Sequence, residues 1–305
     1  MARRRQWLWG VLALAAAAGV LEAVAAVRVR RLRAERAYLG ARLYTEVLGE
    51  GDPVVFLAGL PATTRFWGDG FAPLAARRRL VFADALGFGR SPLPDVDYTL
   101  DDHLGALRRT LVAKGATRRV TFVAHSFGTL LAAYYAERHP DEVERLVLAG
   151  TPVFRDEREA RERIRAVSTM NGLFTLNPVL AREACKVHEA TFSSLLMRLV
   201  PLFLRDVPPE VAQEGLLHTW QSFDGSLRNV LLTKPIAAPL ARLGPKVVFV
   251  HGRRDRVTPL PRVEELAAAI GARLVVTDDN HSSYPRRSAG PIAAAVLAPA
   301  AIPPG

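Results

Sequence analysis

From about residue 41 onward, short runs rich in β-branched and apolar residues alternate with longer stretches of helical periodicity. This order is typical of a parallel sheet with helices on both faces, because each parallel strand needs a crossover to reach the next. We predict seven strands, at residues 41–48, 54–57, 80–83, 120–124, 146–149, 246–250 and 273–277. Helices are predicted between them, at residues 64–76, 100–114, 127–138, 261–270 and 289–297. The pattern therefore predicts a doubly wound, mostly parallel α/β fold.

Residues 152–235 interrupt this alternation. They carry no strand pattern, but arginine and glutamate alternate at 155–165, and apolar helical stretches follow around 192–204. In a doubly wound sheet, an insertion of this length after a strand overhangs the edge where ligands bind. We predict a helical cap here, inserted into a core formed by residues 37–151 and 236–305. A helical decoration remote from the ligand site is the alternative.

The net charge of +11 is concentrated near the amino terminus. Residues 1–36 contain eight arginines and two glutamates, so +6 lies there and +5 is spread over the other 269 residues. Beyond residue 36, no basic stripe is interleaved with aromatic residues in the manner of a nucleic-acid surface. The distribution favours a membrane surface as the acidic partner, and we expect no nucleic-acid partner.

The segment 7–27 is apolar except for Glu22, and two tryptophans lie near its start. At about 1.5 Å of rise per residue, a helix of this length spans a hydrocarbon core of about 30 Å. We predict an N-terminal hydrophobic helix within residues 1–36 that anchors the protein to a membrane. A cleaved export signal ending near residues 23–25 and a buried or surface helix are the alternatives. The arginines that follow directly resist translocation, so they favour the anchor.

The single cysteine, Cys185, cannot form an internal disulfide, so the fold depends on packing. Half of the residues are hydrophobic, which is sufficient for a full-sized core. No turn of small residues surrounds Cys185, so we expect a small apolar filler rather than a nucleophile.

A serine lies between one predicted strand and the helix that follows it, in the motif Ala124-His125-Ser126-Phe127-Gly128. A serine on a tight strand-to-helix turn needs small residues two positions before and after it, because the flanking elements approach closely. The motif resembles the nucleophile elbow of the α/β hydrolases, with Ala124 in place of the first glycine. The resemblance implies that Ser126 is the nucleophile of a serine hydrolase. A serine that only caps the helix is the alternative.

A serine nucleophile needs a histidine as base and an acid that orients it, and both follow in the chain order serine, acid, histidine. Asp255 follows the strand at 246–250 by five residues, in a stretch that resembles the family's acid loop. His281 follows the last strand, on the loop where the family carries its catalytic histidine. The resemblance implies Asp255 as the acid and His281 as the base, with Asp156 as the alternative acid. None of the other six histidines lies on a loop after the last strand. They are His103, His125, His139, His188, His218 and His251.

The oxyanion of the intermediate requires backbone N–H groups that already point at it. The resemblance implies that one comes from Phe127, directly after the nucleophile, and the other from Leu60 in the stretch Ala58-Gly59-Leu60-Pro61. The family commonly has a histidine where this chain has Ala58, so this chain departs from the family at a supporting hydrogen bond and keeps the Leu60 N–H.

Five motifs in the correct order carry the resemblance, which covers about residues 41–300 outside the cap. It implies a serine hydrolase that cleaves carboxylic esters through an acyl-enzyme intermediate, with no metal or organic cofactor. Haloalkane dehalogenase and epoxide hydrolase relatives have aspartate at the elbow, so Ser126 disfavours those reactions. Hydrolysis of a carbon–carbon bond or acyl transfer by the same triad are alternatives. A non-catalytic, membrane-tethered binding protein of the same fold is a third, and it predicts a disrupted triad.

We expect a small-molecule substrate, and we expect residues of the cap to determine which one binds. Lipids such as monoacylglycerols are candidates, because apolar residues recur in the cap at helical spacing next to the predicted membrane anchor. The same spacing also suits the cap's own core. The residues are Phe192, Leu195, Leu196, Met197, Leu199, Leu202 and Phe203.

Overall fold

The computed structural model describes residues 2–167, 176–191 and 209–299. Its strands are β1 (Thr45–Leu48), β2 (Pro53–Leu57), β3 (Arg79–Ala83), β4 (Val120–His125), β5 (Val143–Ala149), β6 (Val247–Gly252) and β7 (Arg273–Thr277). They form one sheet in the order β1-β3-β2-β4-β5-β6-β7. Strand β1 is antiparallel to β3, and all other neighbours are parallel. The predicted mostly parallel α/β sheet is confirmed.

Helices cover both faces of this sheet. The α-helices are α1 (Ala2–Glu35), α2 (Leu100–Ala113), α3 (Phe127–Arg138), α4 (Glu157–Val167), α5 (Pro178–Thr191), α6 (Pro209–Glu214), α7 (Trp220–Ser226), α8 (Ala237–Ala241), α9 (Leu260–Ile270), α10 (Tyr284–Arg287) and α11 (Ala289–Leu297). Successive residues of β4 point to opposite faces, so Phe122 lies in one core layer and Val123 in the other. Leu107 of α2 and Leu130 of α3 belong to the first layer, and Ile292 of α11 to the second. The central strands are thus buried on both faces.

Residues 64–76, predicted as one α-helix, form two 3₁₀ helices instead, Thr64–Trp67 and Asp69–Ala76. Gly68 separates them with a φ of +57°, a backbone conformation that favours glycine. Pro73 lies inside the second helix, where it removes a backbone donor. The prediction of an α-helix was therefore wrong, although the apolar face is buried as its periodicity indicates.

We use the name cap segment for residues 152–235, which join β5 to β6. Its described residues contain helices α4 to α7 and the π-helical turn Leu227–Leu231, and they contain no strand. The apolar residues predicted to line the cap lie outside the described residues. They are Phe192, Leu195, Leu196, Met197, Leu199, Leu202 and Phe203. The division of the chain into anchor, core and cap stays a prediction.

Helix α1 packs along α5 of the cap segment. Ala25 is buried, and Lys186 Nζ lies 3.8 Å from a carboxylate oxygen of Glu22. Across residues 2–167, 176–191 and 209–299, no helix is both long enough and apolar enough to cross a membrane. The membrane anchor predicted at residues 7–27 stays a prediction.

Candidate active site

Ser126 occupies a strained turn between β4 and α3. Its φ of +49° with a ψ of −118° lies outside the regions that residues other than glycine usually adopt. The turn also needs Gly128, because a Cβ there would lie 2.3 Å from the carbonyl oxygen of Leu57 at the end of β2. The Ser126 N–H donates to the Ala149 carbonyl at 3.1 Å, which fixes the turn against β5. Strain held by this packing is typical of a functional position.

The structure brings Ser126, His281 and Asp255 into one hydrogen-bonded chain. Ser126 Oγ lies 3.0 Å from His281 Nε2, and His281 Nδ1 lies 2.9 Å from Asp255 Oδ2. Because an ionised carboxylate only accepts hydrogen bonds, His281 donates through Nδ1–H, and its Nε2 is left to accept the Ser126 hydroxyl proton. The three residues follow β4, β6 and β7, whose carboxyl ends lie at the same edge of the sheet. This is the arrangement of a nucleophile, a base and an orienting acid.

The Asp255 side chain is fully buried, and its carboxylate is surrounded by donors. The N–H groups of Val257 and Thr258 both donate to Oδ1 at 3.0 Å. Burial alone would raise the pKa of Asp255. The charge and hydrogen bond of His281, with the Thr258 N–H, outweigh that effect and hold the pKa below its ordinary value of 3.8. Asp255 therefore stays ionised at neutral pH and stabilises a protonated His281.

Tyr284 on α10 is a fourth member of this network that sequence reasoning missed. Its buried hydroxyl donates to Asp255 Oδ2 at 2.9 Å and accepts from the Gly252 N–H at 2.9 Å. Burial, followed by the nearby carboxylate, raises the pKa of Tyr284, so the phenol stays protonated and keeps donating. The available signal was its place three residues after His281, within reach of the same acid. Tyr284 links the loops that carry Asp255 and His281.

The two predicted oxyanion residues lie close to Ser126, Phe127 next to it in the chain and Leu60 on the loop after β2. Phe127 is the first residue of α3, where a backbone N–H has no partner within the helix. Leu60 follows Gly59, and a Cβ on Gly59 would lie only 2.9 Å from the Ser126 Cβ. Within the described part of the chain, neither the Leu60 nor the Phe127 N–H has a hydrogen-bond acceptor. The loop after β2 therefore reaches the serine closely, and both donors are unused.

Two other histidines lie under the triad rather than in it. The His125 ring stacks on Phe66 with 4.7 Å between centroids and lies 4.8 Å from the ring of His281. Burial, and then the charge of His281, lower the pKa of His125 well below its ordinary value, so it stays neutral. His251 Nε2 donates to the carbonyl of Thr258 at 2.9 Å, which supports the acid loop. Both have structural roles.

Asp156, the alternative acid, and Cys185, the single cysteine, are not part of the hydrogen-bonded chain of Ser126, His281 and Asp255. Asp156 is exposed, and its carboxylate accepts the Glu159 N–H at 2.8 Å at the start of α4. Burial raises the pKa of Cys185 to about 12, and a thiol in that state is a poor nucleophile. In residues 2–167, 176–191 and 209–299, no group of three or more His, Cys, Asp or Glu residues is arranged to hold a metal ion.

Comparisons with known proteins agree with this architecture. The model of the α/β hydrolase fold family matches residues 52–285. A probable lysophospholipase of Arabidopsis thaliana, BODYGUARD 2, is 34% identical over 110 residues, which are 34% of this chain and 23% of that protein. A haloalkane dehalogenase of Agrobacterium fabrum is 34% identical over 117 residues, 38% of either chain. The crystal structure of a hydrolase from Pseudomonas aeruginosa superposes with a TM-score of 0.61 at 26% identity, over 84% of this chain and 92% of that one.

The matches to the two curated relatives cover less than two fifths of the length of either of them. The family model, in contrast, extends from the start of β2 through the loop that carries His281. It thereby includes every element that positions the candidate triad. The chain belongs to the α/β hydrolase fold family.

Proposed function

We propose that this protein is a serine hydrolase that cleaves carboxylic esters through an acyl-enzyme intermediate. The observation that supports the proposal is the hydrogen-bonded chain from Ser126 Oγ through His281 to the buried Asp255, with distances of 3.0 Å and 2.9 Å. A fold relative without catalysis would have no reason to keep this chain intact. Ester hydrolysis needs no group beyond these side chains, two N–H donors and water.

The reaction proceeds in two halves. His281 Nε2 takes the Ser126 proton as Oγ attacks the ester carbonyl, and the N–H groups of Leu60 and Phe127 stabilise the oxyanion. The protonated His281, held by Asp255, gives that proton to the departing alcohol, which leaves an acyl group on Ser126. Water then attacks the acyl carbonyl with His281 again as base, and the carboxylic acid leaves as the serine hydroxyl is restored.

The similarity to a haloalkane dehalogenase does not extend to the chemistry of Ser126. A carboxylate that displaces a halide forms an ester, which water can hydrolyse at its carbonyl. A serine that displaced a halide would form an ether without a carbonyl, and the enzyme would be blocked. Carbon–carbon bond hydrolysis and acyl transfer use the same triad, and turnover of substrates separates them from ester hydrolysis.

A fluorophosphonate probe tests the nucleophile directly. We expect the purified protein to be labelled at one serine, because the probe's phosphorus is attacked by an activated hydroxyl and its oxygen occupies the oxyanion site. Labelling should disappear in Ser126→Ala and persist in Ser222→Ala, which changes a buried serine of the cap segment outside the triad. Gel fluorescence and peptide mass mapping provide the measurement. Labelling retained in Ser126→Ala would overturn the proposal.

We further propose that the substrate presents an apolar group to the cap segment. Leu60, the predicted oxyanion residue, packs against an apolar cluster built around Leu227 and Leu232, to which Phe154 and Phe223 also belong. Because Leu60 packs on this cluster, we expect an acyl or alcohol group bound beside Leu60 to contact hydrocarbon. Lipid and acylglycerol esters share this character.

A series of p-nitrophenyl esters tests this preference. Butyrate has two more methylenes than acetate, and at about 0.8 kcal/mol for each one buried we expect kcat/KM to rise about tenfold. Phe223→Ala should reduce that gain and leave acetate turnover within about threefold, because a truncated ring removes contact area without touching the triad. Val179→Ala, an exposed position on α5, is the matched control. A profile that is flat in the unsubstituted protein would contradict an apolar substrate group.

A further inference from the structure

The loop that carries Leu60 contacts the cap segment through the packing of Leu60 and through the carboxylate of Glu214. Glu214, the last residue of α6, places Oε2 2.8 Å from the hydroxyl of Thr63, which donates to it. Thr63 is completely buried and begins the 3₁₀ helix Thr64–Trp67. The two partners are 151 residues apart in sequence, so this bond forms only when the cap segment is docked on the core.

The path from Thr63 to the oxyanion donor is short and stiff. Only two residues lie between Leu60 and Thr63, and the Ala62 N–H donates to the Gly59 carbonyl at 2.7 Å, which closes the loop into a turn. On the far side, the Thr64 N–H donates to the buried Asp84 carboxylate at 2.7 Å. A displacement at Thr63 therefore moves the Leu60 N–H.

Glu214 also contacts two arginines of the core. Its Oε1 lies 3.2 Å from Arg90 Nη2 and 3.5 Å from Arg65 Nε. The side chains of Arg65 and Arg90 are 49% and 36% exposed, and ion pairs in that setting contribute little. The bond from Thr63 differs, because a buried hydroxyl donates to a charged acceptor and has no water to replace it. It is the contact through which Glu214 acts on the loop.

We propose that Glu214 is a positioning residue that sets the Leu60 N–H for oxyanion binding through its hydrogen bond to Thr63. The inference rests on the proposed serine-hydrolase function, and it assigns the cap segment a second task besides contacting substrate. Helix α6, docked against the loop after β2, thereby completes the oxyanion site.

The test compares Glu214→Ala with Glu214→Gln. The alanine variant loses the acceptor for Thr63, and we expect the fluorophosphonate labelling rate and kcat for p-nitrophenyl acetate to fall about tenfold with little change in KM, because a small misplacement of a donor acts on the transition state. Glutamine keeps an oxygen for Thr63 and should stay within about threefold of the unsubstituted protein. Glu157→Ala, which breaks the exposed pair with Arg161 on α4, controls for general loss of cap ion pairs.

A second pair of variants approaches the bond from the other partner. Thr63→Val removes the hydroxyl at nearly constant volume and should match Glu214→Ala, while Thr63→Ser should retain the rate. The double variant Thr63→Val with Glu214→Ala should be no slower than either single variant, since both remove one bond. Thermal unfolding of each variant separates lost stability from lost rate.

Three results would overturn the inference. They are an unchanged labelling rate in Glu214→Ala, a glutamine variant as slow as the alanine variant, and additive losses in the double variant. Each of these leaves the proposed function standing if the unsubstituted protein is labelled at Ser126. An unsubstituted protein that is not labelled at all overturns the proposed function and, with it, the inference.

Discussion

Replacement of His281 by alanine is expected to lower kcat for ester hydrolysis by about a millionfold, because triad members act as a unit. Ser126 Oγ lies 3.0 Å from His281 Nε2. The nearby His125 is a poor substitute as a base, because burial, and then the charge of His281, hold its pKa well below the ordinary value. Without the imidazole, the hydroxyl must lose its proton to water during attack. Single-turnover and steady-state rates with p-nitrophenyl butyrate measure the loss.

The informative control is the double variant Ser126→Ala with His281→Ala. The nucleophile and its base act in the same step, so removing both should cost no more than removing either one. His251→Asn changes a neighbouring buried histidine that is bonded to the Thr258 carbonyl, and it should reduce stability more than kcat. A His281→Ala variant that keeps more than about a hundredth of the rate would show that another group accepts the proton, because a working base contributes about 10²–10⁴ even alone.

The candidate triad could be predicted from sequence because its members are local to predictable elements. Ser126, Asp255 and His281 each lie within a few residues of an apolar strand, and the carboxyl ends of parallel strands meet at one edge of the sheet. The strand pattern alone is therefore sufficient to bring the three side chains near one another. The order of the residues along the chain then assigns their roles.

What sequence reasoning missed depends on contacts between distant segments. Tyr284 reaches Asp255 only because the loops after β6 and β7 face each other, and the one sequence signal for this contact is its place three residues after His281. Glu214 reaches Thr63 only because the cap segment folds back over the core. The segment 64–76 has helical periodicity, but Gly68 and Pro73 alter the type of helix without altering which side chains are buried.

The N-terminal segment illustrates a different limit. An apolar run of the right length predicts a membrane-spanning helix, yet length and composition do not show which contacts the helix makes. In the structure, α1 packs along α5, and Glu22 faces Lys186. An alanine-rich helix can pack in this way because small side chains allow close approach. The sequence of the segment alone does not reveal this contact, because the partner helix lies about 150 residues further along the chain.

Replacement of Asp255 by asparagine is expected to lower kcat by about 10⁴-fold with little change in KM, as for an orienting aspartate in a triad of this kind. Asparagine offers His281 either an amide oxygen or an N–H group at nearly the same position. An N–H group at that position donates to Nδ1, so the remaining proton moves to Nε2, which then cannot accept from Ser126. The loss is therefore one of tautomer and charge.

Two matched variants distinguish the role of the Asp255 charge from the effects of neighbouring changes. Asp156→Asn, at the alternative acid, should leave kcat within about twofold, because that carboxylate only caps α4 and an asparagine caps equally well. Tyr284→Phe removes one donor from Asp255 Oδ2 but keeps the carboxylate and its bond to His281, so we expect a loss of about ten- to a hundredfold, about the value of one hydrogen bond to a charged group. Steady-state kinetics with p-nitrophenyl butyrate compare all three. An Asp255→Asn variant no slower than Tyr284→Phe would mean that the carboxylate's charge is dispensable, and Asp255 would then only position His281.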